Sequence, residues 1–217
     1  MKNRQRKTSL YYPLFINLRG KKCVVIGGGR VALRKAISLL ECGAKVTVVS
    51  PTFVAGFKRL KERKTIQLVK RNFAPGNTEG ATLVIAATDS QKTNQKIADG
   101  AQKHGALVNV VDDPEDSDFI VPSFFRRGDL TLAVSTGGAS PAFARKVRAW
   151  LEKHIGEDYG KLLSLIREVR SGLKRTNKEI SPETWQEGLD LDLLIGLLKA
   201  GQKNEAKKIL LERLLEK

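Results

Sequence analysis

Two cysteines, Cys23 and Cys42, and two histidines, His104 and His154, are all that 217 residues contain of either type. Two thiols cannot build a disulfide framework, and Cys23 and Cys42 show no metal-ligand spacing. No bound metal is expected. His104 and His154 fall in or at the end of helical patterns and read as structural. No apolar run approaches the roughly 20 residues that span a bilayer. The basic start, Met1 to Lys7, is not followed by an apolar signal region. The expectation is therefore a cytoplasmic protein with no membrane partner. Internal repeats and low-complexity tracts are also missing, which leaves one nucleotide-binding-sized domain with a smaller attachment.

Acidic residues are scarce in the first half. Through Asp112 the chain carries 21 Lys/Arg against 6 Asp/Glu, and from Asp113 onward 18 against 17. Nearly all of the net +16 therefore lies in residues 1–112. That asymmetry suits an anionic partner. No helix-turn-helix, RNA-binding or zinc signature accompanies it, so a small acidic molecule is expected and nucleic acid is not.

Strand and helix patterns alternate in this half. Short β-branched runs at Cys23–Gly27, Lys45–Val49, Ile66–Val69, Thr82–Ala87 and Leu107–Val111 read as five strands. Helical periodicity fills Val31–Cys42, Phe53–Lys64 and Gln91–His104. This order predicts an α/β fold with a doubly wound parallel sheet. The pattern then changes. An acidic loop begins at Asp112, Phe119–Val121 and Leu130–Ser135 read as an antiparallel pair turning at Gly128-Asp129, and a helix runs from Pro141 to about Ile155. The remainder is helical, with breaks expected near Gly172 and Ser181-Pro182. The boundaries are set at 112 and 155, giving segments 1–112, 113–155 and 156–217.

Gly27-Gly-Gly29-Arg30-Val31-Ala32 fits G-x-G-x-x-A between a strand and a helix. Gly27 allows the tight turn, Gly29 lets a pyrophosphate approach the backbone, and Ala32 permits close helix–strand packing. The amides at the helix start then face the phosphates. The acid that usually holds a ribose at the end of the second strand is missing. Ser50-Pro51-Thr52 stands there instead, with Lys58 and Arg59 downstream, so the fingerprint leaves NAD and NADP both open. Ala87 and Thr88, where the fourth strand ends, leave room for a nicotinamide ring, and Asp89 is expected to cap the next helix.

Five motifs in order complete the reading. They are Gly27-Gly-Gly-Arg-Val-Ala-x-Arg-Lys35; Ala86-Ala-Thr-Asp89 with Thr93-Asn94; Asn109-Val-Val-Asp112; Phe119-Ile-Val-Pro-Ser123; and Ala133-Val-Ser-Thr-Gly-Gly-Ala-Ser-Pro141. Over residues 10–155 the chain resembles the precorrin-2 dehydrogenase and sirohydrochlorin ferrochelatase family, the N-terminal module of siroheme synthases. No methyltransferase domain follows, so the free-standing form is the expectation.

The resemblance implies a Rossmann-type sheet, a strand-pair dimerisation segment and a helical C-terminal region. It implies oxidation of precorrin-2 to sirohydrochlorin with NAD as hydride acceptor, in a homodimer, and in some relatives iron or cobalt insertion into the product. The substrate's eight carboxylates suit the basic first half. Asp112 matches the family's acidic position and is the expected catalytic base. Asp113, Asp116 and Asp118 read as solvated loop acids. Thr136, Gly137, Gly138 and Ser140, before the Pro141 helix, form the expected anchor for a substrate carboxylate, with Ser140 also an N-cap. The alternative is a regulatory NAD-sensing domain with a helical interaction module, which would need the glycine turn but neither Asp112 nor the Thr136 loop.

Overall fold

The computed structural model describes residues 11–63 and 65–215. The basic run at Met1 to Lys7, and Lys64 at the expected end of the second helix, lie outside them. The described residues form two compact units, one ending at Val121 and one starting at Pro122.

In the first unit five parallel strands alternate with three helices. In chain order these are β1 (Lys22–Ile26), α1 (Arg30–Glu41), β2 (Lys45–Ser50), α2 (Gly56–Glu62), β3 (Ile66–Lys70), β4 (Leu83–Ala86), α3 (Gln91–Lys103) and β5 (Leu107–Val110). The strand order is β3-β2-β1-β4-β5. Alternation along the strands makes two cores. Cys23, Val25, Val46, Val48, Leu83 and Ile85 pack with Ala32, Ala36 and Leu39 of α1 and Phe57 of α2. Val24, Ile26, Val84, Ala86, Val108 and Val110 pack with Ile97, Ala98 and Ala101 of α3. Burial on both faces explains why the strands read as continuous apolar runs. The doubly wound sheet expected from the sequence is borne out.

β5 lies at the sheet edge, and the acidic loop covers it. Asp118 Oδ2 accepts from the Val108 N–H (2.8 Å), Ser117 Oγ accepts from the Val110 N–H (2.9 Å), and the Asp118 N–H donates to the Val108 carbonyl (2.8 Å). The buried Asn109 amide donates to the Phe119 carbonyl (2.9 Å). Side chains thus replace a sixth strand and block edge pairing. Asp118 is an exposed loop acid, as expected, and in addition bonds the sheet edge. Asp113 also bonds within the loop, where its Oδ1 accepts from the N–H groups of Glu115 (3.2 Å) and Asp116 (3.4 Å). Phe119–Val121 is therefore not a hairpin strand.

In the second unit the hairpin is β6 (Ser123–Arg127) and β7 (Leu130–Val134), antiparallel, turning at Gly128-Asp129 as expected. Helices α4 (Pro141–His154), α5 (Glu157–Arg175), α6 (Pro182–Gly188), α7 (Leu191–Lys199) and α8 (Lys203–Leu215) follow. The expected break at Gly172 does not occur. Leu162, Leu165, Val169 and Leu173 of α5 are buried with Leu194, Leu198, Ala206 and Leu210 of α7 and α8. That burial outweighs the ~1 kcal/mol a mid-helix glycine costs. Instead, α5 ends before Asn177, which takes φ 51°. No helix among the described residues is long and apolar enough to cross a membrane.

Candidate cofactor site and its acidic edge

The chain leaves β1 into the glycine turn, at the switch point between β1 and β4 where such sheets bind ligands. Gly27 takes φ 128°, and its N–H donates to the Val49 carbonyl (2.9 Å). A Cβ on Gly27 would stand 2.1 Å from the Ala87 carbonyl oxygen. A Cβ on Gly28 would stand 1.8 Å from the Thr52 carbonyl oxygen and 2.7 Å from Ser50 Oγ. The Val54 N–H also donates to the Gly28 carbonyl (2.9 Å). The turn is therefore clamped between Ser50–Val54 on one side and Ala87 on the other. Sequence reasoning passed over Gly28, because the middle position of G-x-G is normally free. Three glycines in a row were the available signal.

Gly29 differs. A Cβ there would meet nothing within 4 Å. It is the N-cap of α1 and offers no side-chain cap, and α1 has no acid in its first turn. The first-turn amides of Arg30, Val31 and Ala32 and the helix dipole thus face an approachable side of the turn. Bare, open backbone at a helix start fits a pyrophosphate. Arg30 is exposed, and Ala32 is fully buried against the sheet, as its packing role requires. Ser50 is buried at the end of β2, whereas Pro51 and Thr52 are exposed.

Beyond β4, the Ala87 N–H donates to the Ile26 carbonyl (2.8 Å), and Thr88 turns into α3. The helix is capped by Ser90, whose Oγ accepts from the Thr93 N–H (3.2 Å). The capping role expected of exposed Asp89 is thereby corrected: α3 starts at Gln91, as the periodicity predicts, so the residue at the cap is Ser90.

Asp112 follows β5 at the same edge of the sheet. The Val111 N–H donates to the Ala86 carbonyl (2.9 Å), which sets Asp112 beside the end of β4. Its φ is 62°, a left-handed conformation that Asp tolerates better than most residues. The bonds that occupy Asp113 and Asp118 do not involve the exposed Asp112 carboxylate. On α1 the half-buried Lys35 ammonium is pushed below its usual value by burial and by Arg34, with the Asp112 carboxylate acting the other way.

In the second unit, the Thr136 loop is partly committed to itself. Thr136 Oγ1 accepts from the Ser140 N–H (3.1 Å), Ser135 Oγ from the Gly137 N–H (3.1 Å), and Ser140 Oγ from the Phe143 N–H (3.2 Å). Ser140 is therefore the N-cap of α4, as expected. Gly137 and Gly138 take φ 60° and 87°. His104 is structural: its Nδ1 bonds Thr78 Oγ1 (2.9 Å).

The model of a family described as putative NAD(P)-binding matches residues 14–123, half of the chain. The chain belongs to this family. A second model, described as sirohaem biosynthesis protein central, matches residues 127–154. Both fit the resemblance drawn from the sequence, and the first bears out the dinucleotide cofactor. Among curated relatives, the siroheme synthase of Methylococcus capsulatus is 38% identical over 204 residues, covering 93% of this chain and 43% of that protein. That of Nitrosomonas eutropha is 39% identical over 207 residues, with 94% and 43% covered. The chain thus spans under half the length of these relatives. A solved structure described as SirC, precorrin-2 dehydrogenase, superposes with a TM-score of 0.71 at 24% identity, covering 95% of this chain and all of that one. It shows a shared fold. None of these descriptions favours the regulatory alternative.

Proposed function

We propose that the chain oxidises precorrin-2 to sirohydrochlorin with NAD as the hydride acceptor. The observation that carries this is the pairing of a clamped glycine turn with an exposed carboxylate, Asp112, at one edge of one sheet. The names of the siroheme synthase relatives and of the SirC neighbour support the substrate. When bound, NAD supplies the oxidising chemistry. Gly27, Gly29, Arg30, Val31 and Ala32 would hold its phosphates. Ser50, Pro51 and Thr52 would face the ribose at the end of β2, and Ala87 and Thr88 the nicotinamide.

Aromatising the macrocycle also releases a proton. Asp112 takes it, from an exposed position beside the end of β4. The same carboxylate would accept pyrrole protons if a divalent metal is inserted into the product. Thr136, Gly137, Gly138 and Ser140 would receive a substrate carboxylate at the α4 start. Their division of labour follows segments 1–112 for cofactor, 113–155 for dimer and substrate, and 156–217 as a helical attachment. A homodimer fits the exposed Phe143 and Trp150 of α4, at 61% and 59% exposure. A cytoplasmic location suits a reaction that depends on the NAD pool.

The test is single-turnover oxidation of freshly made precorrin-2 at saturating NAD, followed by absorbance, in wild type and Asp112→Asn. Asparagine also tolerates positive φ, so the backbone is kept. The expected loss is on the order of 10²–10⁴ in rate with NAD affinity unchanged. Wild-type rates in Asp112→Asn would remove the base from the mechanism, and no turnover in wild type would remove the activity.

A further inference from the structure

Asn94 is 7% exposed and has no part in the function proposed above. It lies in the first turn of α3, on the stripe that continues through the buried Ile97, Ala98 and Ala101. An apolar residue would suit that stripe. Asparagine is a weaker helix former, and a buried amide is costly unless its groups are bonded.

They are bonded, all to one residue. Asn94 Nδ2 donates to the Thr88 carbonyl (3.1 Å), while Oδ1 accepts from the Thr88 hydroxyl (2.7 Å) and the Thr88 N–H (3.3 Å). A single side chain engages the backbone donor, the backbone acceptor and the hydroxyl of Thr88. The preceding residue, Ala87, brings its carbonyl against Gly27, where even a methyl group would not fit. The Ala87–Thr88 peptide is therefore fixed from both sides, by the glycine turn and by Asn94. In sheets of this kind the adenosine ribose lies at the end of β2, here Ser50–Thr52. The end of β4 lies on the opposite side of the glycine turn, which is the place of the other half of a dinucleotide.

We infer that Asn94 is a positioning residue for the nicotinamide half of the cofactor, acting through Thr88. The inference rests on the proposed NAD site. It predicts a division that a purely structural role would not produce. ADP-ribose contains the adenosine, both phosphates and a ribose but lacks nicotinamide. It depends on the glycine turn and β2, whereas NAD also depends on the β4 wall.

Calorimetric titration of the full chain with NAD and with ADP-ribose tests this in wild type, Asn94→Ala and Asn94→Leu. Leucine fills the volume and continues the apolar stripe, so it keeps the fold if alanine does not. Both variants should bind NAD weaker on the order of tenfold, the worth of one or two hydrogen bonds. ADP-ribose affinity should stay within about twofold. Equal weakening of both ligands would make Asn94 a residue of the fold alone and overturn the inference, as would unchanged NAD affinity. A wild-type chain that binds neither ligand would instead refute the NAD site on which it rests.

Discussion

Replacing Gly28 by alanine separates the packing of the glycine turn from its binding. The added Cβ would lie 1.8 Å from the Thr52 carbonyl oxygen, and van der Waals contact needs more than 3 Å. The obstacle is backbone, so no rotamer change relieves it. Either the turn or the Ser50–Val54 segment must move by more than an ångström. Both are tied down: Gly27 donates to Val49, and Val54 donates to the Gly28 carbonyl. Overpacking of this kind costs about 1–3 kcal/mol, and the rigid partner places Gly28→Ala at the upper end. At about 3 °C per kcal/mol, the first unit should melt about 8–10 °C lower. Gly29→Asp is the matched comparison. Its side chain enters open space at the N-cap of α1, where Asp is a favoured cap. Its melting temperature should match or slightly exceed wild type, while NAD binding is lost to charge against the pyrophosphate. Scanning calorimetry is the assay, because Trp150 and Trp185 both lie in the second unit and their fluorescence would not follow the first. A Gly28→Ala protein melting within about 2 °C of wild type, or a Gly29→Asp protein falling as far as Gly28→Ala, would refute the packing argument.

Removing the Asp118 carboxylate should open the sheet edge. Asp118→Ala leaves the Val108 N–H without its acceptor, costs about 1–3 kcal/mol and speeds hydrogen exchange at the Val108 amide, while Asp118→Asn keeps an oxygen and should be mild; unchanged exchange in the alanine variant would count against the edge cover. In the second unit, hydrogen bonds from Lys207 and then Lys203 hold the Glu168 carboxyl down from 4.5 to about 2. A depressed acid contributes stability above its unfolded value and loses it as pH falls through its folded one, so this α5–α8 link should fade between pH 4.5 and about 2. Tryptophan-detected melting should therefore be less acid-sensitive in Glu168→Gln, and identical slopes in the two proteins would exclude that role.

The sequence alone determined the parallel sheet, because strands buried on both faces need unbroken β-branched runs and the helices between them need a 3.6 period. Both signals are local. Gly27, Gly29 and Ala32 were legible because the G-x-G-x-x-A spacing between a strand and a helix is itself a local signal, even where the contacts they make are not. Asp112 was singled out only through the family resemblance. What the structure adds is that Asp113 and Asp118 accept from backbone N–H groups, and the pairing of Asp118 with Val108 is visible only once the loop has folded back on β5. Gly28 and Asn94 follow the same rule. One is glycine because Thr52 passes close by, the other asparagine because Thr88 needs three partners, and neither neighbour is fixed by local periodicity. Gly172 shows the reverse case, a local helix breaker overruled by the burial of α5 against α7 and α8. Tertiary structure decided those positions because their constraints come from groups brought close only by folding, and no propensity or spacing records such a distance.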